Sequence, residues 1–301
     1  MTAALPSSVL VTGASGNIGR KIVEALAPAP WCNRIVALDL AASSDKFSPA
    51  AATKLQAVSG DLRHAVGDWT SAFIGIDACV HLAAQNPDVD ASWSEAANSF
   101  DMTVNVGMAC LRHGVGRLVF ASSNHVMGGY KDAPLSDGLK PGQLTTDLAP
   151  APGTKWHDGT NFQDSTPYAT AKLMGERFTS DIARQSEGRL TGISVRIGWA
   201  QPGENLPRTI SHAGSVIGGI PEAKDDAARR DLRWFRNMWL SNADLTALFL
   251  AAVSADAAPW PEPAIIVNGM SANRGMDWDL SSAIRWLNYR PNDDLYAQHE
   301  L

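Results

Sequence analysis

The sequence Ser8-Val-Leu-Val-Thr-Gly-Ala-Ser-Gly-Asn-Ile-Gly19 joins a short apolar run to a loop that contains Gly13, Gly16 and Gly19. The apolar run is typical of a buried strand, and residues 17–26 carry apolar side chains at helical spacing. Glycines between a strand and a helix permit a tight turn and close approach of the backbone to a pyrophosphate. The N–H groups at the helix N-terminus attract phosphate. The stretch therefore predicts a dinucleotide-binding loop.

A carboxylate stands at the end of the next apolar run, where Asp39 follows Gly19 by 20 residues. A carboxylate at this place accepts hydrogen bonds from both hydroxyls of the adenosine ribose and repels the 2′-phosphate of NADP. The two features together predict NAD as the cofactor, in preference to NADP. The alternative is an ordinary glycine turn with a surface aspartate, which the flanking strand and helix disfavour.

Apolar runs alternate with helical patterns along most of the chain. Strands are predicted at residues 8–12, 34–38, 55–59, 78–82, 117–121, 192–197 and 264–268. Helices are predicted at residues 17–26, 65–73, 92–113, 168–185, 242–254 and 279–287. This alternation predicts an α/β fold with a doubly wound, Rossmann-type parallel sheet, whose active site lies at the carboxyl ends of the strands.

The domain organisation follows from the same pattern. We expect residues 1–198 to form the NAD-binding Rossmann domain with the catalytic residues, and residues 199–301 to form a small, mainly substrate-binding portion and lid. A late strand and helix of that portion are expected to return to the main domain. Residues 131–167 and 201–241 lack periodicity and are predicted to be long functional loops. Four tryptophans lie in or beside them: Trp156, Trp199, Trp234 and Trp239. These form either a lid over the substrate, or anchors or a subunit contact.

Composition narrows the class of protein. The chain has 301 residues, 45% of them hydrophobic and 19% charged, and its net charge is −6. Cys32, Cys79 and Cys110 have no metal-ligand spacing and are expected to be buried thiols. Neither a secretory signal, nor an apolar run of about 20 residues, nor a basic stripe is recognisable. We therefore expect a cytoplasmic protein that acts on a small molecule, with no nucleic-acid or membrane partner and no metal.

A second motif, Tyr168-Ala-Thr-Ala-Lys172, places a phenol and an ammonium one turn apart on a helix. A nearby cation favours the phenolate, which brings proton transfer within reach at neutral pH. A hydroxyl to hold the substrate oxygen is available from Ser122-Ser123, which follow the predicted strand 117–121. Although the tyrosine–lysine spacing is common by chance, its place behind a dinucleotide loop predicts a catalytic Ser/Tyr/Lys set.

Together these motifs resemble the extended short-chain dehydrogenase/reductase family, also called the NAD-dependent epimerase/dehydratase family. The resemblance also includes Gly60-Asp-Leu62 and His81-Leu-Ala-Ala84, and it runs over nearly the whole chain. It implies cofactor contacts from Gly13, Ser15, Gly16, Asn17, Ile18, Gly19, Asp39, Leu40, Asp61, Leu62, Leu82, Ala83, Ala84, Tyr168, Lys172 and Ile197. It further implies a homodimer formed through helices 92–113 and 168–185.

Within that family, the segment Phe120-Ala-Ser-Ser-Asn-His-Val-Met-Gly128 is most similar to uronate dehydrogenases. The resemblance implies that Ser123 is catalytic together with Tyr168 and Lys172. It also implies that Ser123, Tyr168, Asn124 and His125 contact a sugar acid.

Three further positions bear on the substrate. The carboxylate-binding arginine of uronate dehydrogenases lies ten residues after the glycine of an Arg-Ile-Gly segment, which is the position of Arg208. The resemblance therefore implies this role for Arg208, and the alternative is a solvent-facing charge in a loop. The planar guanidinium suits a carboxylate because the two pair bidentately. Asn86 and Trp199 stand where that group has serines, and Asn86 is therefore an expected substrate contact.

The predicted function is NAD-dependent oxidation of a hydroxyl carbon in a sugar acid or related carbohydrate, as in uronate dehydrogenases. Tyr168 takes the hydroxyl proton, Ser123 holds the oxygen, and Lys172 lowers the pKa of the phenol. A nucleotide-sugar 4-epimerase with tightly bound NAD is the alternative. Four arginines at positions 229, 230, 233 and 236 either bind its phosphates or form a solvated helix face. A non-catalytic NAD sensor is disfavoured because the chain keeps both Tyr168 and Lys172.

Overall fold

The computed structural model describes residues 5–85, 90–158, 160–211, 214–215 and 223–297. The strands are β1 (Ser8–Thr12), β2 (Arg34–Asp39), β3 (Leu55–Ser59), β4 (Ala78–His81), β5 (Arg117–Ser123), β6 (Lys155–His157), β7 (Phe162–Asp164), β8 (Thr191–Ile197), β9 (Ile210–Ser211), β10 (Gly214–Ser215) and β11 (Ala264–Gly269). The helices are α1 (Asn17–Leu26), α2 (Pro49–Ala52), α3 (Trp93–His113), α4 (Thr166–Gln185), α5 (Asp226–Asn237), α6 (Asn242–Ser254) and α7 (Ser281–Leu287). Short 3₁₀ segments lie at Ser44–Lys46, Asp68–Phe73, Asn124–Lys131 and Pro207–Thr209. None of the described helices has the length and apolarity that a membrane crossing requires.

Seven of these strands form one sheet in the order β11-β8-β5-β4-β1-β2-β3. Every neighbouring pair in it is parallel. The strand order reverses between β1 and β4, and ligands of such sheets bind at the carboxyl ends beside that reversal. The predicted Rossmann-type α/β fold is confirmed. The late strand β11 pairs with β8 in this main sheet.

The two faces of the sheet are covered by separate apolar layers. On one face α1 and α6 pack together through residues such as Ile22, Leu26 and Leu248. On the other face Val106 and Cys110 of α3 pack with the 3₁₀ segment Asp68–Phe73. Burial of both faces explains why the strands read as continuous apolar runs.

A third apolar cluster lies outside the sheet and joins the two stretches that lack periodicity. It brings the β6 tryptophan Trp156 together with Trp234, Phe235 and Trp239 of the segment around α5. Trp156, Trp234 and Trp239 are 4%, 3% and 6% exposed. These three side chains therefore lie inside a core, where they anchor both stretches.

Three expectations about local structure need correction. Residues 65–73 form only a 3₁₀ segment, Asp68–Phe73, because the hydroxyls of Thr70 and Ser71 donate to nearby backbone carbonyls and compete with a longer helix. Ser122 and Ser123 are the last residues of β5 and do not follow it. The predicted loops contain the hairpin β6–β7 and the helix α5, whose charged residues obscured its apolar face.

Candidate active site

The glycine loop has no room for side chains at its two ends. Gly13 has a φ of 67°, in the left-handed region that favours glycine. A Cβ atom there would lie 2.9 Å from the backbone nitrogen of Ala83. A Cβ at Gly19 would lie 2.2 Å from the carbonyl oxygen of Gly13. The loop, the start of α1 and the end of β4 therefore pack backbone against backbone, and the N-terminus of α1, which attracts phosphate, lies directly after the loop.

Beside this loop, a closed hydrogen-bond network fixes the end of β4. The hydroxyl of Thr12 accepts from the backbone nitrogens of Leu82 and Ala83, both at 3.2 Å. Its own proton is therefore donated to Nδ1 of His81, 2.8 Å away. The Nε2–H of His81 then donates to the hydroxyl of Thr103 at 3.2 Å. Burial lowers the pKa of His81 to about 3, so the ring is neutral and both of its nitrogens are satisfied.

A cavity of about 670 Å³ opens at the carboxyl ends of these strands. It is lined by Gly13, Ser15, Gly16, Asn17, Ile18, Gly19, Asp39, Leu82, Ala83, Ala84, Ala121, Ser122, Ser123, Asn124, His125, Tyr168, Lys172, Ile197, Gly198, Trp199, Ala200, Gln201 and Pro202. It thus brings together most of the cofactor residues expected from the sequence with the Ser/Tyr/Lys set. The backbone cradle and a carboxylate at the end of β2 fit a dinucleotide.

Asp39 lies at the junction of the glycine loop and β2. One carboxylate oxygen accepts from the backbone nitrogen of Ser15, and the other accepts from that of Leu40, both at 2.8 Å. These bonds hold the carboxylate at the wall of the cavity, where an adenosine ribose would meet it.

Three expected cofactor residues are not among those that line the cavity. Leu40 is 64% exposed, and Leu62 is buried in the apolar layer under α3. Asp61 pairs with Arg63, whose Nε lies 2.9 Å from one carboxylate oxygen. The hydrogen bonds to Arg63 lower the pKa of Asp61 to about 2. The adenine contact of Asp61 stays a prediction.

All three residues of the Ser/Tyr/Lys set line the cavity. Lys172 lies one turn after Tyr168 on α4, with its Nζ 5.7 Å from the centre of the phenol ring. The ammonium donates to the carbonyl of Ala121 at 2.8 Å, and burial lowers the pKa of Lys172 to about 8. The hydroxyl of Ser123 accepts from the backbone nitrogen of His125 at 3.2 Å, so its proton remains available to a substrate oxygen. This geometry suits proton removal from a hydroxyl.

A buried ion pair beneath this set was missed by the sequence analysis. Arg196 of β8 binds Glu176 of α4 through two hydrogen bonds of 2.8 and 2.9 Å. The hydroxyl of Ser122 donates to the same carboxylate at 2.6 Å. Glu176 and Arg196 are each 1% exposed, so the network joins β5, β8 and α4 inside the protein. The spacing of Tyr168, Lys172 and Glu176, four residues apart on one helix face, was an available signal.

Asn124 and His125 begin the 3₁₀ segment that follows β5. The amide nitrogen of Asn124 donates to the carbonyl of Ile197 at 2.8 Å, which fixes the orientation of the side chain. Nδ1 of His125 lies 2.8 Å from the hydroxyl of Thr154 and 3.0 Å from that of Ser165. Burial lowers the pKa of His125 to about 3, so its ring is neutral.

The residues that follow β8 form a wall that the sequence analysis missed, apart from Trp199. Asn17 donates from its side-chain amide to the carbonyl of Ala200 at 3.2 Å, and Lys21 donates to the carbonyl of Gln201 at 3.0 Å. These bonds draw residues 199–202 over the N-terminus of α1. No local pattern could have indicated this, because the partners are about 180 positions apart.

Arg208 and Asn86 are the remaining expected substrate residues. Arg208 is exposed in the segment Pro207–Thr209 and is not among the residues that line the cavity. Asn86 lies outside the described residues. Three of the four α5 arginines form ion pairs with carboxylates: Arg229 with Asp226, Arg230 with Asp132, and Arg233 with Asp277.

Comparisons with known proteins agree with this geometry. Residues 9–200 match the family described as the NAD dependent epimerase/dehydratase family. An L-arabinose 1-dehydrogenase (NAD(P)(+)) of Haloferax volcanii is 31% identical over 290 residues, which cover 95% of this chain and 96% of that protein. A uronate dehydrogenase of Agrobacterium fabrum is 28% identical over 293 residues, or 96% of this chain and 86% of that protein. A solved mutated uronate dehydrogenase has a TM-score of 0.66 at 23% identity, over 97% of this chain and 83% of that one.

Proposed function

We propose that this chain, which belongs to the NAD-dependent epimerase/dehydratase family, oxidises the C1 hydroxyl of a free sugar to a lactone. The family and the named relatives confirm the sequence-based prediction of an NAD-dependent enzyme that acts on a carbohydrate CH–OH group. The observation that carries the proposed oxidation is that Ser123, Tyr168 and Lys172 line the same cavity as the glycine loop. The similarity to an L-arabinose 1-dehydrogenase supports C1 as the position that is oxidised.

Each member of this set has a separate task. Tyr168 as phenolate removes the proton from the substrate hydroxyl, which Ser123 holds by hydrogen bonding. The cation of Lys172, buried beside the phenol ring, stabilises the phenolate. Gly13, Gly19 and Asp39 would hold NAD, which when bound supplies the acceptor for the hydride.

The division of labour along the chain is part of the proposal. Residues 1–198 supply the glycine loop and the Ser/Tyr/Lys set. Residues from 199 onwards supply the wall at Trp199, Ala200 and Gln201. The homodimer through α3 and α4 stays a prediction, which sedimentation equilibrium would test.

The 4-epimerase alternative has less support. It requires a site for a nucleoside diphosphate, and Arg229, Arg230 and Arg233 are engaged with carboxylates. An epimerase would also retain its NAD through each turnover.

The test is NADH formation at 340 nm with free NAD and a panel of aldoses, hexuronates and UDP-sugars. We expect at least one free sugar to reduce NAD to NADH. Tyr168→Phe should lower kcat by about 1,000-fold, because it removes the proton acceptor, and should leave the Kd for NAD within about threefold. The epimerase would be favoured if no free sugar reduces NAD and if the protein co-purifies with NAD that does not exchange.

A further inference from the structure

Four residues that line the cavity each carry a buried polar atom that has no hydrogen-bond partner among the described residues: Ser15 Oγ in the glycine loop, and Asn124 Oδ1, His125 Nε2 and Trp199 Nε1 after β5 and β8. Buried polar groups in native proteins are nearly always hydrogen-bonded, and each exception needs an explanation. A bound dinucleotide accounts for Ser15 Oγ, and a bound substrate accounts for the other three atoms.

The chemical character of these atoms is mixed. Asn124 uses its amide nitrogen on the carbonyl of Ile197, so the atom that remains is an acceptor. The indole nitrogen of Trp199 is a donor only. A hydroxyl both donates and accepts, whereas a carboxylate only accepts. The wall therefore matches neighbouring hydroxyl groups of a sugar ring.

The charged groups at the cavity also favour an uncharged ligand. All 25 lysines and arginines of the chain fall within the described residues, because the remaining positions contain neither type. Of these, Lys172 lines the cavity, and its ammonium donates to the carbonyl of Ala121. Arg208 is exposed, and His125 is neutral because burial lowers its pKa. A carboxylate against the wall of Asn124, His125 and Trp199 would lie buried without a cation, which is unfavourable.

Trp199 is held firmly in this wall. Its backbone nitrogen donates to the carbonyl of Met238 at 2.7 Å, and its carbonyl accepts from Leu240 at 3.0 Å. Its ring packs edge-on against Phe235, with the centres 5.3 Å apart, and lies 6.5 Å from the ring of His125. An indole fixed in this way offers an apolar face and one N–H donor to the same ligand.

We propose that Trp199, together with Asn124 and His125, makes this site select an uncharged aldose over the corresponding hexuronate. Trp199 is the specificity-determining residue, because its indole fills the wall with an uncharged donor and an apolar face. The inference rests on the proposed oxidation of a free sugar, and it departs from the sugar acid that the sequence analysis favoured.

The test uses sugars that share one ring configuration and differ only at C5. L-Arabinose, D-galactose and D-galacturonate carry hydrogen, a hydroxymethyl group and a carboxylate there. D-Xylose, D-glucose and D-glucuronate form a second such series. We expect kcat/KM for the best neutral sugar to exceed that of its own uronate by at least about 100-fold at pH 7.5 with saturating NAD.

Two variants of Trp199 separate its ring from its donor. Trp199→Phe keeps a ring and loses the N–H, and should lower kcat/KM for the neutral sugar about tenfold. Trp199→Ser loses both, and should lower that kcat/KM about 100-fold and reduce the preference over the uronate about tenfold. Trp286→Phe is the matched control, since Trp286 lies on α7 against Arg285 and away from the cavity. It should leave every constant unchanged.

The outcomes are distinct. A kcat/KM for a uronate equal to or above that of its neutral partner would overturn the inference and leave the proposed function intact. Loss of that uronate activity in Arg208→Ala would then show that Arg208 binds the substrate carboxylate, as the sequence indicated. If folded Trp199→Ser keeps the same ratio of kcat/KM for the neutral sugar to that for its uronate, Trp199 does not determine the specificity. No oxidation of any sugar in either series, by a protein that binds NAD, would overturn the proposed function and with it this inference.

Discussion

The two halves of the active-site cavity differ in how many of their buried polar atoms have no partner in the described structure. In the cofactor half, formed by the glycine loop and Asp39, Ser15 Oγ is such an atom, whereas Asp39 accepts a backbone N–H on each oxygen. In the sugar half, formed by Asn124, His125 and Trp199, each of the three residues keeps one such atom.

The halves also differ in the sequence separation of their parts. The loop of the cofactor half comes from one continuous stretch, residues 13–19. The sugar half combines the ends of β5 and β8 with Thr154 and Ser165 around the β6–β7 hairpin. The dinucleotide, which is common to the family, is bound by one local loop. The substrate, which differs between members, is bound by side chains from separate segments.

The largest expected effect would damage both halves at once. Glu176→Gln leaves the buried guanidinium of Arg196 without its counter-charge, and breaking a buried ion pair from one side costs about 3–5 kcal/mol. The free energy of unfolding in urea should fall by that amount, and NAD affinity and sugar kcat/KM should fall with it. Glu262→Gln is the control, because its partner Arg184 is exposed and such pairs contribute under about 1 kcal/mol. Equal effects of the two variants would contradict the prediction.

The next effect separates the halves by removing the cofactor half alone. Gly19→Val places a side chain where even a Cβ would lie 2.2 Å from the carbonyl of Gly13, so the loop must shift. We expect the Kd for NAD to rise by at least about 100-fold, measured by fluorescence titration. Gly116→Ala should leave it unchanged, because a Cβ there meets nothing closer than 3.6 Å. An unaltered Kd in folded Gly19→Val would place NAD elsewhere.

A pH experiment compares His81, which lies beside the glycine loop, with His125, which lines the cavity. Burial lowers the pKa of both His81 and His125 to about 3, below the value of about 6.5 in an unfolded chain. Between these values the unfolded chain binds more protons, so stability is lost as the pH falls below about 6.5, by up to ~1.4 kcal/mol per pH unit for each histidine. Urea unfolding at pH 7.5, 6 and 5 measures this slope.

The matching variants assign that slope to each half. His81→Asn and His125→Asn should each reduce it by about half, because each removes one of the two titrating rings. A slope that neither variant changes would mean that other groups govern the acid response.

The smallest effect concerns the choice of dinucleotide. Asp39→Asn removes the charge that opposes a 2′-phosphate, and should shift the ratio of kcat/KM for NADP to that for NAD by about tenfold toward NADP. Initial rates with both dinucleotides measure it, and Asp45→Asn, on the exposed segment Ser44–Lys46, is the control. An unchanged ratio would mean that the carboxylate of Asp39, bound to Ser15, does not meet the ribose.

Prediction from the sequence succeeded where the chain is locally periodic. The strands at 8–12 and 55–59 and the helices at 17–26 and 242–254 have the bounds that were expected. It failed for residues 65–73, where hydroxyl side chains bind the backbone, and for α5, whose alternating arginines obscure its buried Trp234 and Phe235. The spacing of apolar residues alone shows neither the hydroxyl–backbone bonds of residues 65–73 nor the buried face of α5.

The same limit applied within the site. The glycine loop and the pair Tyr168 and Lys172 were predicted from spacing within single segments, because a turn or one helix face places them. Asp39 and Ser123 were predicted from their places at strand ends, which a parallel sheet brings to one edge. Arg208 was assigned by its distance along the chain from Gly198, and it lies exposed in a separate segment. Trp199 was noted in the sequence as a departure from uronate dehydrogenases and as one of four tryptophans expected to form a lid, anchors or a subunit contact. The contacts of its ring with His125 and Phe235 are visible only in the structure.

The amino-acid sequence was sufficient for the class of fold, and it predicted the cofactor loop and the pair Tyr168 and Lys172, because each depends on local geometry that a few neighbouring residues impose. The sugar wall depends on how residues 199–202 fold back over α1 and how α5 packs against Trp156 and Trp199. Those contacts join residues far apart in the chain. Their hydrogen bonds and burial exist only once the whole core has formed, so the unpaired groups to which we assign substrate selection could be recognised only in the structure.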